Sequence, residues 1–384
     1  MAPDRLRALR ALIADAADEM IDPPILQPAD VFLDLAGEDI RRRLFVTAAT
    51  TGGELCLRPD FTIPVCLAHR AQGTGSDPVT YGYVGPVFRQ RRSGAAEVLQ
   101  AGVEWIGHDD VEATDARALA LALSAASTLG LANPRIRVGD ATLFACLVEA
   151  LPLSPAWRRR LVAWFGEPER LGGAIAKLAG GQPLSIGKGP AGLSRALAGV
   201  EPEEAHNIVS DMLGVAGLTL VGGRTSDEIA DRLRDTATLQ AGNDEARSAA
   251  RVLERYLEIR APLTEAAAAI AAFARAEGID LAEALARFER RVQLFKEAGV
   301  PLADTTFAAD FGRRLDYYTG LVFELYDPAQ PEGAQTIGGG RYDRLLSLLG
   351  APEPVPAVGF SVWLDRFGIE TGIDMEKLLA ASQF

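Results

Sequence analysis

Cysteine and histidine are scarce in this chain, with three residues of each among 384. Cys56, Cys66 and Cys146 contain no Cys-x-x-Cys pair and leave an odd thiol, which argues against a zinc ribbon or a disulfide framework. The three histidines are widely separated, so the sequence supports neither a histidine-based metal site nor a Ser-His-Asp triad. We therefore predict no metal and no cofactor, and the unpaired thiols fit a reducing cytoplasm.

Long apolar runs and positive charge are also lacking. No stretch reaches the roughly 18 apolar residues needed to cross a membrane, and the first twenty residues lack the order of a signal peptide or a transit peptide. There are 39 Lys and Arg against 52 Asp and Glu, a formal charge of -13. This charge opposes binding to a phosphate backbone. These deficits favour proteins or small molecules as partners over membranes or nucleic acids.

The composition that remains is typical of a globular protein, with 48% hydrophobic residues. An amphipathic helix is predicted over 4–19, followed by strand-like runs at 44–48, 54–57 and 98–106. Helix-forming residues dominate from 141 to 298, including a helix over 226–240. Strand character returns at 307–311 and 321–326.

A sheet that is interrupted by helices and then resumes predicts an α+β fold with a helical insertion. We expect the first part of the α+β domain over 1–140, the insertion and its connecting helices over 141–300, and the second part over 301–384. The run Ile337-Gly338-Gly339-Gly340 lacks the lysine and hydroxyl residue of a P-loop, so it predicts a tight turn under a pocket, followed by a helix over 341–349.

Candidate binding residues occur on the predicted strand 98–106. Gln100, Gly102 and Glu104 share one face, and strand rise separates Gln100 from Glu104 by roughly 13 Å. A small ligand could lie over Gly102, with a polar group at each end. A solvated strand face with a bulge at Gly102 is the alternative, and for this strand alone it is the simpler one.

Two further charged groups have competing interpretations. Asp60 with Thr62 could accept hydrogen bonds from an ammonium group, but local sequence favours Asp60 as the cap of a helix that starts near Pro64. Arg313 could bind a ligand carboxylate with its two-pronged guanidinium. An ion pair between Arg313 and Asp316 or Asp310 is the structural alternative.

Five segments in this order resemble a known family: "LRPDFTIP", "GPVFRQRRSGAAEVLQAGVEWIG", "RRLDYYTGLVFELY", "IGGGRYDRLL" and "AVGFSVWLDRFG". They are similar to histidyl-tRNA synthetases, which are class II synthetases, and more closely to their non-catalytic paralogues, the regulatory subunits of ATP phosphoribosyltransferase. The resemblance covers about residues 20–110 and 305–367. It implies a class II synthetase-like antiparallel sheet flanked by helices.

The resemblance also implies roles for single residues. Histidine would be the ligand, with its ammonium group held by Asp60, Thr62 and Gln100, its imidazole by Glu104 and Tyr318, and its carboxylate by Arg313. Arg89 lies where synthetases place an arginine that faces the adenylate. The predicted set of histidine-binding residues is Asp60, Thr62, Arg89, Gln100, Glu104, Arg313, Tyr317 and Tyr318, and none of them is predicted to be catalytic.

The sequence departs from the synthetases on the nucleotide side. Trp363 stands in place of a glycine near the adenine site and can fill a ring-sized slot. The loop after Arg89 is short, with Ala95 and Ala96 where a longer loop carries a second arginine. Arg314 replaces a usual glycine, and no segment resembles an anticodon-binding domain. These departures predict a binder that performs no chemistry.

The resemblance implies a homodimer within a hetero-oligomer, with a separate short-form ATP phosphoribosyltransferase as catalytic partner and with feedback by L-histidine. Two other functions stay open. One is a reduced synthetase core that makes histidyl-adenylate for an acceptor other than tRNA. The other is a histidine sensor for a different partner.

Overall fold

The structure is a computed structural model that describes residues 2–35, 40–50, 52–73, 77–91, 94–180, 200, 202–215, 244–313, 317–330 and 335–369. Its strands are β1 Glu19–Met20, β2 Leu26–Pro28, β3 Val46–Ala48, β4 Glu54–Leu57, β5 Val79–Phe88, β6 Glu97–Ile106, β7 Arg135–Asp140, β8 Arg260–Pro262, β9 Thr305–Ala308, β10 Leu321–Tyr326, β11 Gln335–Arg341 and β12 Ala357–Trp363.

The helices of the described residues are α1 Ala2–Ala16, α2 Ala29–Leu35, α3 Thr62–Ala71, α4 Val111–Thr128, α5 Ala141–Ala150, α6 Pro155–Ala163, α7 Pro168–Ala179, α8 Pro202–Val215, α9 Asp244–Leu257, α10 Leu263–Glu277, α11 Ala282–Glu297 and α12 Leu345–Leu348, with a 3-10 turn at Leu364–Phe367. None of these helices is both long and apolar enough to span a membrane. The predicted helix 226–240 and the segment Arg314–Asp316 lie outside the described residues.

Nine strands form the main sheet in the order β1-β5-β6-β12-β11-β10-β7-β9-β8. The pairs β1–β5 and β7–β9 are parallel, and the other neighbours are antiparallel. A small antiparallel sheet, β2-β4-β3, lies beside it. The α+β prediction is confirmed, although the sheet is mixed rather than purely antiparallel.

Apolar side chains cover both faces of the main sheet. On one face Leu119, Ala122 and Ala126 of α4 pack in a core with Val103 and Phe360. Small alanines let this helix approach the strands closely, and each fully buried large side chain contributes about 1.5 to 3 kcal/mol. The other face packs against α3, and the candidate site lies on it.

Buried charges tie two helices to the middle of the sheet. Asp115 of α4 accepts from Arg291 Nε of α11 at 2.7 Å and from Arg341 Nε of β11 at 2.8 Å. Arg291 also donates to Asp140 at the end of β7. The side chains of all four residues are at most 3% exposed, so each charge depends on its partners.

Two local predictions are wrong. Gly338, Gly339 and Gly340 are not a tight turn: they form the middle of the central strand β11. Other side chains occupy the space above these glycines, which local sequence does not show. Arg341 is likewise the last residue of this strand, so the following helix is shorter than predicted and spans only Leu345–Leu348.

Part of the predicted insertion belongs to the main sheet. β8 lies within 141–300 and is the edge strand beside β9. α10 and α11 from the same range pack with α4 in the core shared with the sheet. The predicted boundaries of the insertion at residues 141 and 300 stay a prediction.

Candidate functional site

A cavity of about 560 Å³ opens on the face of the main sheet that packs against α3. Strands β6, β12, β11, β10 and β7 each contribute to its lining. Seven of the eight predicted histidine-binding residues line it: Asp60, Thr62, Arg89, Gln100, Arg313, Tyr317 and Tyr318. The fold thus brings together residues that lie more than 200 positions apart in the chain.

Glycines on the two strands β11 and β12 make room for long side chains to lie across the sheet. A side chain at Gly338 would collide with the guanidinium of Arg313, and one at Gly359 would collide with the Glu104 carboxylate. Gly340 leaves space for the ring of Tyr318 in the same way. The glycines that resembled a loop motif therefore position candidate binding groups.

Asp60 precedes α3 and is 5% exposed. Phe61 occupies the N-cap position of α3 and its side chain makes no capping hydrogen bond, so Asp60 lies one residue before the cap that local sequence favours. Arg89 forms an ion pair with Asp60, with Arg89 Nη2 3.7 Å from Asp60 Oδ2. Burial raises the pKa of Asp60, and Arg89 and the backbone N–H groups of Ile63 and Thr62 oppose the rise. The other oxygen, Oδ1, is buried with no hydrogen-bond partner among the described residues.

Gln100 on β6 is 1% exposed, so its strand face is not solvated. Its Oε1 accepts from the backbone N–H of Phe61 at 3.1 Å, which directs the amide group. The Nε2 atom is buried and has no partner in the described part of the chain. Next to Asp60, the cavity therefore offers one unsatisfied acceptor and one unsatisfied donor.

Glu104 lies behind the cavity wall instead of in it. Thr62 Oγ1 donates to Glu104 Oε1 at 2.8 Å, Tyr83 lies 3.4 Å from the same oxygen, and Tyr342 donates to Oε2. Burial raises the pKa of Glu104 to about 7, although the hydrogen bonds from Tyr342 and Thr62 oppose this. Tyr83 and Tyr342 were not predicted as site residues.

Arg313 and Tyr318 line the cavity together although they are five residues apart. Neither residue lies in a strand, and the Arg313 guanidinium carbon lies 5.5 Å from the centre of the Tyr318 ring. Arg313 Nε is 3.6 Å from Glu324 Oε1, whereas Asp310 pairs with Arg260. The predicted alternative of an Arg313–Asp310 pair is wrong.

The two tyrosines form an aromatic wall. The rings of Tyr317 and Tyr318 are 5.2 Å apart, and Tyr317 meets Tyr342 edge to face at 6.0 Å. Burial raises the pKa of Tyr318 to about 12, with Arg313 opposing the rise. Both phenols are therefore hydrogen-bond donors at neutral pH.

Trp363 occupies the cavity wall beside Arg89. Its side chain is 5% exposed, and the guanidinium carbons of Arg89 and Arg366 lie 4.5 Å and 5.2 Å from its ring centre. Arg89 Nε donates to the carbonyl oxygen of Pro59 at 2.7 Å, and burial lowers the pKa of Arg89 to about 10. Protein groups therefore already engage Arg89 on several sides.

Several cavity residues give no sequence signal. Arg137 on β7 and Glu324 on β10 are directly opposite each other in the sheet, and both line the cavity. Only cross-strand register places them beside residues from β6 and β12. No group of three or more His, Cys, Asp or Glu side chains within the described ranges is arranged to hold a metal ion.

Comparisons with known proteins agree with this architecture. The family model for histidyl-tRNA synthetase matches residues 4–186 and 211–367. An ATP phosphoribosyltransferase regulatory subunit from Brucella canis is 44% identical over 363 residues, which cover 94% of this chain and 95% of that protein.

Solved structures share the fold. An ATP phosphoribosyltransferase regulatory subunit/histidyl-tRNA synthetase from Bacillus halodurans has a TM-score of 0.63 and 22% identity, covering 97% of this chain and 79% of that one. A histidine–tRNA ligase subunit from Alicyclobacillus acidocaldarius has a TM-score of 0.56 and 23% identity, covering 100% and 94%. The chain therefore belongs to the histidyl-tRNA synthetase family and, within it, to the ATP phosphoribosyltransferase regulatory subunits.

Proposed function

We propose that this chain is a non-catalytic subunit that binds L-histidine and conveys feedback to a separate short-form ATP phosphoribosyltransferase in the first step of histidine biosynthesis. The relatives named as regulatory subunits support this assignment. The subunit forms a homodimer within a hetero-oligomer and works in the cytoplasm without a cofactor.

The observation that carries the proposal is the pair of unsatisfied buried atoms in the cavity, Asp60 Oδ1 and Gln100 Nε2. A buried polar atom without a partner costs about 1 to 3 kcal/mol. A zwitterionic amino acid carries both complementary groups, because its ammonium donates and its carboxylate accepts. Ligand binding thus removes a cost that the free protein bears.

A histidine placed between β6 and β11 has a candidate partner for each of its ammonium, carboxylate and imidazole groups. Asp60 and Thr62 hold the ammonium group, and Arg313 binds the carboxylate across Gly338. Gln100, which the resemblance assigned to the ammonium group, instead offers its free Nε2 donor to the carboxylate, because its Oε1 already accepts from Phe61. Tyr318 and Glu104 bind the imidazole. Because Glu104 is engaged by three hydroxyl groups, imidazole contact requires Thr62 or a tyrosine to yield its bond.

The surroundings of Trp363 favour binding without chemistry. Its indole ring contacts the guanidinium groups of both Arg89 and Arg366. Arg366 also donates to the carbonyl oxygen of Gln335. Arg91 pairs with Asp365 at 2.7 Å. Since these cations are engaged by protein groups, we expect no histidine-dependent exchange of pyrophosphate into ATP. Reproducible exchange above background supports the synthetase-core alternative instead.

Calorimetry tests the binding site directly. We expect the chain to bind L-histidine and Asp60→Asn to weaken binding by about tenfold or more, since a charged hydrogen bond to the ammonium group is lost. Asp310→Asn is the matched control, because Asp310 lines the same cavity but is paired with Arg260. Equal losses in both variants contradict the placement of the ammonium group.

Turnover of ATP and phosphoribosyl pyrophosphate by the catalytic partner tests the regulatory role. It is measured for the partner alone, with this chain, and with this chain plus histidine. We expect activation by the chain and loss of that activation with histidine, with a coupling of about 1 to 3 kcal/mol. Full activity that ignores both additions rejects a regulatory role and leaves a histidine sensor for another partner.

A further inference from the structure

Arg137 lies on the cavity face of the sheet, at the end remote from Gln100. The register runs straight across five strands, from Gly102 of β6 through Ser361, Gly338 and Glu324 to Arg137 of β7. Directly opposed residues share one face of a sheet. The side chain of Arg137 therefore lines the same cavity as the amino-acid groups.

Distance separates Arg137 from the proposed histidine position. Strands are spaced about 4.8 Å apart, so the two intervals from β6 to β11 span about 10 Å, and the two from β11 to β7 span about 10 Å more. The main chain of one amino acid extends only about 3.5 Å. A ligand that bridges Gln100 and Arg313 thus leaves the β7 end of the cavity open.

The guanidinium of Arg137 has no acceptor within the described part of the chain. Its opposite neighbour Glu324 is directed instead to Arg313 and Tyr326. The Arg137 guanidinium carbon lies 5.3 Å from the ring centre of Phe311 and 5.6 Å from that of Tyr326. Two rings thus flank a half-buried cation whose five N–H donors are available to a ligand.

The charge of the cavity is opposite to that of the protein. Five arginines and three carboxylates line it, although the whole chain has a formal charge of -13. A histidine zwitterion adds no net charge, so its binding leaves this positive excess uncompensated. Pro168, the first residue of α7, also lines the cavity, so the positive end of that helix dipole adds to the potential.

We propose that the β7 end of the cavity is a second binding position, for the oxyanion group of a small metabolite, with Arg137 as its main ligand. A guanidinium binds carboxylate and phosphoryl oxygens through the same paired N–H donors. The two possible sources of the oxyanion, a phosphorylated and a carboxylated metabolite, are therefore separated by experiment.

The test titrates the full chain with inorganic phosphate and, separately, with acetate, by calorimetry at constant ionic strength and without histidine. We expect Arg137→Gln to weaken binding of the preferred anion at least about tenfold. Arg135→Gln is the matched control, because Arg135 lies two residues away on β7 and does not line the cavity. We expect less than about a twofold change there, as for an exposed charge screened by salt.

Each outcome decides the proposal. Preferential phosphate binding that depends on Arg137 assigns a phosphoryl ligand, and acetate binding that depends on it assigns a carboxylate ligand. No binding of either anion, or equal losses in the Arg137 and Arg135 variants, overturns the proposal. Arg137→Lys retains the positive charge but lacks the paired N–H donors of the guanidinium. It replaces Arg137→Gln in the test if the glutamine variant unfolds. Because histidine is left out, failure here is distinct from failure of the histidine assignment.

Discussion

Glu104 shows how one residue can combine a structural and a binding role. Its carboxyl group is 1% exposed, and Thr62, Tyr83 and Tyr342 surround it with hydroxyl groups. Burial disfavours the charged form more strongly than these hydrogen bonds favour it, so the pKa rises to about 7. Near neutral pH, a small change in its surroundings decides whether the group is charged.

The raised pKa of Glu104 predicts a pH-dependent stability. The folded pKa of about 7 exceeds the ordinary value of 4.5. The contribution of the protonated Glu104 to the free energy of unfolding is therefore fully present below the unfolded pKa and is lost as the pH rises through 7. We expect the free energy of unfolding of the wild type to fall by about 2 to 3 kcal/mol relative to Glu104→Gln between pH 5 and 8. Urea unfolding at a series of pH values measures this difference.

The control for this prediction is Glu97→Gln, since Glu97 is a half-buried glutamate at the start of the same strand. We expect no comparable divergence for that variant. If the curves for the wild type and Glu104→Gln run parallel from pH 5 to 8, the raised pKa is wrong.

Helix α11 illustrates how an element outside the cavity supports the site. Its residue Arg291 bonds to Asp115 of α4 and Asp140 of β7, and Asp115 in turn holds Arg341 at the end of β11. Strands β7 and β11 carry Arg137 and Gly338 on the cavity face. The buried charges thereby fix the position of strands that line the site.

Adjacent arginines on α11 provide a matched test of this role. Arg291→Met leaves two buried carboxylates without this cation, and we expect it to lower the free energy of unfolding by about 3 to 5 kcal/mol. Arg290 also forms ion pairs, with Asp110 and Glu112, but its side chain is 53% exposed. We expect Arg290→Met to cost less than about 1 kcal/mol. Thermal and denaturant unfolding of both variants compare the two values, and equal losses contradict this role of Arg291.

At the scale of the whole molecule, exposed apolar side chains concentrate near one edge of the main sheet. Among the described residues, Met20 is 45% exposed, Ile25 41%, Leu26 50% and Val46 47%. They lie on β1, β2 and β3 or directly before β2, and β1 is an edge strand of the nine-stranded sheet. An apolar region beside a free sheet edge favours a protein interface.

We therefore expect the proposed homodimer to depend on this region. Leu26→Glu places a charge in the interface and should raise the dimer dissociation constant at least about tenfold, which corresponds to 1.4 kcal/mol. Sedimentation velocity across a concentration series measures the change. Met212→Glu is the control, since Met212 is 49% exposed on α8. An unchanged dimer in Leu26→Glu locates the interface elsewhere.

The sequence alone determined the family, the α+β class and most of the residues that meet in the cavity. Motifs such as "LRPDFTIP" and "RRLDYYTGLVFELY" each contain more than one candidate binding residue in a fixed order, so these residues can be identified within a single motif. Seven of the eight predicted residues accordingly line one cavity. Their roles toward histidine stay predictions, because residue type alone does not state which ligand atom each group meets.

Only the tertiary structure decided the surroundings of the residues within and beyond those motifs. Local sequence favoured a turn at Gly338–Gly340 and a cap at Asp60, yet the first is a central strand and the second leaves a buried oxygen free. Glu104 on β6 lies behind Thr62. Arg137 lines the same cavity from β7, which is four strands away from β6 in the sheet. The physical reason is cross-strand register, which places residues side by side through hydrogen bonds between distant segments. No spacing within one segment encodes that register.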